Sequence, residues 1–151
     1  MAIRKIFKED DEILFKRCRE VTVFNDKLGE LIDDMFETMI KADGVGLAGP
    51  QIGYLRRIAV VECDGEKLEM VNPQIIAADG EQIDEEGCLS VDSSKNCEVL
   101  RPYRVTVRAQ DRKGETYEKT LTGLPARAVC HELDHLEGIL FYTRKYEGKK
   151  K

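Results

Sequence analysis

At 151 residues, with 42% hydrophobic content and a net charge of -5, the chain has the length of one domain able to bury about two-thirds of its unfolded surface. The charge offers no general attraction for nucleic acid, and no apolar run approaches the ~20 residues needed to cross a bilayer. Five cysteines, Cys18, Cys63, Cys88, Cys97 and Cys130, form an odd set without a disulfide framework; with no secretory signal ahead of them, they predict free thiols in a reducing, cytoplasmic setting.

Residues 1–24 read as an extended arm with one short turn around Asp10 to Phe15. The first helix is expected from about Asp26 to Lys41. Leu28, Leu31, Ile32, Met35, Phe36, Met39 and Ile40 recur there at spacings of three and four, Asn25 or Asp26 can cap the start, and Gly44 lies past the end. A glycine-rich loop follows, Gly44 to Gly53, in which Gly44, Gly46 and Gly49 free the backbone to approach a ligand. Gln51 is the lone polar side chain of that loop; its plain reading is an exposed loop residue. Strands are expected at Arg57 to Cys63, Leu68 to Asn72 and Gln74 to Ile83, separated by Asp64-Gly65, which suits a hairpin turn, and by Pro73. Further strands fit Cys97 to Leu100, Tyr103 to Gln110 and Glu115 to Leu121. A second helix starts near Gly123 to Pro125, where proline removes no helical hydrogen bond. It ends at Leu136 or Glu137, with Gly138 beyond it. The pattern is α+β: antiparallel strands wrapped around a central helix, in a single domain spanning 1–151. Lys149-Lys150-Lys151 reads as a solvated tail.

Chemistry concentrates on that second helix, in Cys130-His131-Glu132-Leu133-Asp134-His135. His131 and His135 share a helical face one turn apart, where two neutral imidazoles can hold one metal ion while Glu132 reaches the water that such an ion carries. Imidazole suits Zn(II) or Fe(II), and a carboxylate beside the water can take and return a proton. The chain has two histidines in all, and both fall in this pattern, which argues against an amphipathic helix that carries them by accident. Leu124, Ala128, His131 and His135 form one face and Val129, Leu133 and Leu136 another, so the helix is expected in the middle of the fold. Asp134 lies off the metal face and is expected in a structural ion pair, with Arg101 as the partner. Cys130 is turned about 100° from His131 and should not reach the same ion.

A catalytic metal of this kind keeps three protein ligands and one open position. Downstream the chain has little to offer: the place of a metzincin's third histidine is held by Phe141, and only 16 residues follow His135. The best upstream candidate is Cys88, in Glu86-Gly87-Cys88-Leu89-Ser90, where Gly87 lets the backbone come close to a metal or substrate.

Three motifs, Gly44-Val45-Gly46-Leu47-Ala48-Gly49-Pro50-Gln51, Glu86-Gly87-Cys88-Leu89-Ser90 and His131-Glu132-Leu133-Asp134-His135, resemble in order and spacing those of peptide deformylases. The resemblance implies metal-dependent removal of the formyl group from formyl-methionyl peptides, such as nascent chains at the ribosome. It implies Cys88, His131 and His135 as metal ligands and Glu132 as the base, with the Gln51 amide and the Leu89 N–H as oxyanion donors. It also implies Fe(II) in the cell, with Zn, Ni or Co in purified protein. Leu124, Ala128 and Val45 are placed to line a methionine pocket, and Gly44, Gly46 and Gly87 to admit the peptide backbone. The chain departs from the family at Asp92, where proline is usual, at Gly49 and Cys130, and in the arm, where Asp11-Glu12 replaces Asp-Pro. The alternatives are a generic metallopeptidase with the same two-histidine helix and a noncatalytic structural zinc protein, which would want a fourth protein ligand.

Overall fold

The computed structural model describes residues 2–148, and the basic tail at 149–151 lies outside them. Helix α1 spans Asp26–Lys41, as its periodicity requires, and Asn25 caps it by accepting the Leu28 N–H at 3.1 Å. Leu28, Leu31, Ile32, Met35, Phe36 and Met39 are buried, whereas Ile40, expected on the same stripe, is 56% exposed although Met39 beside it is buried. The chain then turns at Asp43, which adopts φ 61°, ahead of the glycine expected to end the helix.

Seven strands follow: β1 (Gly46–Ala48), β2 (Ile58–Cys63), β3 (Glu66–Asp79), β4 (Gln82–Glu86), β5 (Cys97–Arg101), β6 (Arg104–Gln110) and β7 (Thr116–Thr122). All pairings are antiparallel: one sheet has the order β1-β2-β3-β6-β7, and β4 and β5 form a separate hairpin. Asp64 and Gly65 both take positive φ, 50° and 80°, as a tight hairpin turn requires. The stretch expected to be a loop, Gly44 to Gly53, is instead ordered backbone. It forms edge strand β1 and then a 3-10 turn over Gly49–Ile52. A Cβ on Gly49 would stand 2.5 Å from the Tyr54 carbonyl oxygen, so a side chain there would require the backbone of the turn to shift.

Pro73 does not divide two strands. It sits inside β3 where the register with β6 shifts, a bulge that needs no N–H from the proline. Asn72 turns there with φ 53°, and its side chain accepts from Val21 N–H (2.8 Å) and donates to the Val21 carbonyl (3.0 Å), which ties the arm to the bulge.

Strand β2 is buried on both sides, and its alternation divides the core. Ile58 and Val60 join Leu47 and the apolar face of α1; Ala59 and Val61 join Ala48 and helix α2 (Gly123–Leu136). The two helices therefore cover opposite faces of the large sheet. On its far side α2 meets the β4–β5 hairpin and Phe141, whose ring stacks on His131 at 5.6 Å. Gly138 ends α2 in a left-handed conformation, and Cys18 of the arm donates its N–H to the Leu136 carbonyl at 2.9 Å. The expected α+β arrangement of antiparallel strands around a central helix is the arrangement found. Among the described residues no helix is long and apolar enough to cross a membrane.

Candidate metal centre

Helix α2 presents His131 and His135 one turn apart, with ring centroids 5.1 Å from each other. The chain returns to them through β4, whose end at Glu86 leads by way of Gly87 to Cys88. Cys88 Sγ lies 3.3 Å from His135 Nε2, and the ligand atoms of Cys88, His131 and His135 all fall within 4.8 Å of one another. One thiol and two imidazoles so spaced suit a tetrahedral ion with bonds of about 2.0–2.3 Å and an open fourth position. The donor set therefore fits a divalent metal.

The surroundings point the same way. His131 Nδ1 and Glu86 Oε1 are 2.9 Å apart, which leaves Nε2 of the ring for the Cys88 side. Burial opposes charge on His131, yet its contacts with Cys88 and Glu86 outweigh burial and push it up to about 10: the pocket favours positive charge. His135 is held well below the usual imidazole range, by burial first and then by His131, and stays a neutral donor. Glu86 is itself buried. Burial raises its carboxyl, but hydrogen bonds from Arg101 (2.9 and 3.0 Å) and His131 bring it down to about 2. Arg127 donates to the same carboxylate at 2.5 Å, and Arg101 reaches on to Asp134 at 2.8 Å, the ion pair expected from the sequence.

Glu132 is 4% exposed, and among the described residues its Oε1 has no hydrogen-bond partner. Burial pushes its carboxyl up to about 7, against the pull of His131, so it can both accept and release a proton near neutrality. Gly46 is what admits it: a Cβ there would stand 2.5 Å from Glu132 Oε2. Gln51, which a loop reading would expose, is 1% exposed. Its Oε1 accepts Ala48 N–H at 2.9 Å, and its Nε2 donates to Ser90 Oγ at 3.1 Å and to Cys88 Sγ at 3.5 Å. Leu89 sits in a turn closed by Val91 N–H on the Cys88 carbonyl, and among the described residues its own N–H has no backbone hydrogen-bond partner.

A cleft of about 340 Å3 opens beside these groups, and Gly44, Val45, Gly46, Gly87, Leu124 and Ala128 all line it. Val45 and Leu124 form its rim at 40% and 42% exposure, while Ala128 lies at the bottom. One wall is β1, an edge strand whose other edge pairs with β2. A larger groove of about 940 Å3 lies between α1 and β3 but contains none of the ligand residues; here chemistry locates the site better than volume. Cys130 is buried in the apolar core, away from the ligand group, and burial raises its thiol to about 11.

The family model for polypeptide deformylase matches residues 3–151. The chain belongs to the peptide deformylase family. It is 54% identical over 144 residues to a peptide deformylase of Heliobacterium modesticaldum, covering 95% of each chain. The crystal structure of peptide deformylase from Thermotoga maritima superposes with a TM-score of 0.91 at 38% identity, over 95% of this chain and 98% of that one. An actinonin-bound class I type b peptide deformylase from Acinetobacter baumannii gives 0.90 at 35% identity, over 97% and 100%. Deformylase membership covers the three motifs that drew attention in the sequence. It does not by itself reveal the groups that sequence reasoning passed over, Glu86, Arg127 and Ser90, whose buried contacts orient His131 and Gln51. The one signal for Glu86 was its place in the Cys88 motif.

Proposed function

We propose that this chain, acting as one catalytic domain, hydrolyses the formyl group from formyl-methionyl peptides and releases formate. Cys88, His131 and His135 hold one divalent metal ion in this reading, and Glu132 is the base. The observation that carries it is the convergence of three ligand atoms within 4.8 Å beside the buried Glu132 carboxylate, in a chain matched by the deformylase family over residues 3–151.

When bound, the metal supplies Lewis acidity and makes water a nucleophile at neutral pH. The Glu132 carboxylate takes a proton from the water as its oxygen attacks the formyl carbon, then gives it to the amine nitrogen as the C–N bond breaks. The Gln51 amide and the Leu89 N–H donate to the oxyanion of the tetrahedral intermediate. For Gln51, the weak 3.5 Å contact to the Cys88 sulfur is the one that the oxyanion replaces. The free edge of β1 can pair with an extended peptide. Val45, Leu124 and Ala128 surround the methionine side chain, while Gly44, Gly46 and Gly87 keep the backbone path open. The proposed metal is Fe(II) in the cell, with Zn, Ni or Co in purified protein; a thiolate beside Fe(II) makes the activity oxygen-sensitive. The setting is the cytoplasm, and the substrates are nascent chains at the ribosome.

The test is formate release from a formyl-methionyl tripeptide by protein prepared without oxygen, beside the acetylated and unblocked peptides. Turnover of the formyl peptide alone is expected. Cleavage of unblocked internal peptide bonds with the formyl group untouched would favour the generic metallopeptidase instead. Neither that alternative nor a structural zinc protein gains support from the family match.

A further inference from the structure

The amino-terminal arm makes three consecutive contacts, two with the residues assigned to the oxyanion and one with Ser90 beside them. Phe7 donates its N–H to the Gln51 carbonyl (2.7 Å), Lys8 its ammonium to the Leu89 carbonyl (2.9 Å), and Glu9 its N–H to the Ser90 carbonyl (2.9 Å). The Glu9 side chain continues the run, accepting from Asp92 N–H at 3.3 Å and pairing with Lys95 at 2.7 Å. The Asp92 N–H is a donor that the proline usual at this position would lack.

From these contacts we infer that the arm is a positioning element for the catalytic turn, with Lys8 as its key residue. The peptide unit that carries the Leu89 N–H has its own carbonyl, that of Cys88, held by Val91 N–H at 3.1 Å. The next two carbonyls, of Leu89 and Ser90, are held by Lys8 and Glu9. Three successive peptide planes are thereby fixed, and the Leu89 N–H cannot swing without breaking one of these bonds. A donor aimed in advance at developing charge is worth more than one that must reorient during the reaction. Lys8 itself is exposed, and water competes for both partners of its bond, so it contributes little net stability. Its contact is better suited to orienting the turn than to holding the fold together.

This inference rests on the deformylase reading, and its test separates the two. Metal-loaded wild type, Lys8→Met and Lys8→Arg are compared for formate release, melting temperature, metal content and amide exchange at Leu89 and Ser90. Lys8→Met is expected to lower kcat about 10-fold, short of the 10²–10³ lost when an oxyanion donor is removed outright. KM, melting temperature and metal content should hold, while the Leu89 and Ser90 amides exchange faster. Lys8→Arg, which keeps a charged donor, should retain wild-type kcat. Wild-type kcat or wild-type Leu89 exchange in Lys8→Met overturns the inference, as does a parallel fall in kcat, melting temperature and metal content that arginine fails to restore. A wild type that releases no formate defeats the deformylase reading, and amide exchange then still decides whether Lys8 orients the turn.

Discussion

Helices α1 and α2 cover opposite faces of one sheet and bury different chemistry. α1 buries an apolar stripe from Leu28 to Met39, and its two buried polar residues are engaged by the arm: Asp34 accepts from Ala2 and Arg4, and Thr38 from Arg4. α2 buries Arg127, His131, Glu132 and His135 among its alanines, valine and leucines. Such groups destabilise a fold unless each finds a partner, so α2 needs Glu86 and Arg101 from the β4–β5 hairpin, where α1 needs apolar surface and the arm's contacts to Asp34 and Thr38. The contrast teaches that the sheet and α1 stabilise the molecule, while α2 holds reactive groups at a cost that this stability offsets.

The sharpest break of that contrast is His135→Ala, expected to lose the metal ion and with it all measurable formate release, read by metal analysis beside the assay. Next comes Glu86→Gln, which keeps the shape but removes the buried charge facing Arg101 and Arg127. Denaturant unfolding should show a loss of about 3–5 kcal/mol, and metal titration a 10- to 100-fold weaker site, as for groups that orient a ligand histidine. Met35→Ala cuts into the apolar partner of the comparison. Met35 is fully buried in α1, so about 2–5 kcal/mol of stability should disappear, with metal affinity and kcat of the folded protein unchanged. The smallest effect is expected for Arg104→Ala: its pair with Asp79 is more than half exposed on both sides, and neither melting temperature nor turnover should move.

Both helices could be read from sequence. α1 was legible to its ends because periodicity and the Asn25 cap are local signals. α2 was legible for the same reason, and its two histidines at a spacing of four marked the site. What stayed hidden depends on distant partners. Glu86 follows Asp84 and Glu85 and looks like part of a solvated acidic run; only Arg101, Arg127 and His131, brought in from elsewhere, make it a buried anchor. In the arm the one local signal was the short turn around Asp10 to Phe15, found as a 3-10 turn over Glu12–Phe15; nothing local marked its backbone and Lys8 as meeting the Leu89 turn more than 80 residues away. Pro73 misled for the opposite reason: a local breaker was absorbed by a bulge that Asn72 and the arm support.

The most direct test of the account compares wild type with Glu132→Ala, both prepared without oxygen and both assayed for bound metal and for formate released from a formyl-methionyl peptide. The account predicts equal metal content and a fall in turnover of about 10²–10⁴-fold, the range that a positioned general base supplies. A variant that keeps its metal and still releases formate at the wild-type rate would contradict it, and the proton would then have to be carried by another group in the cleft.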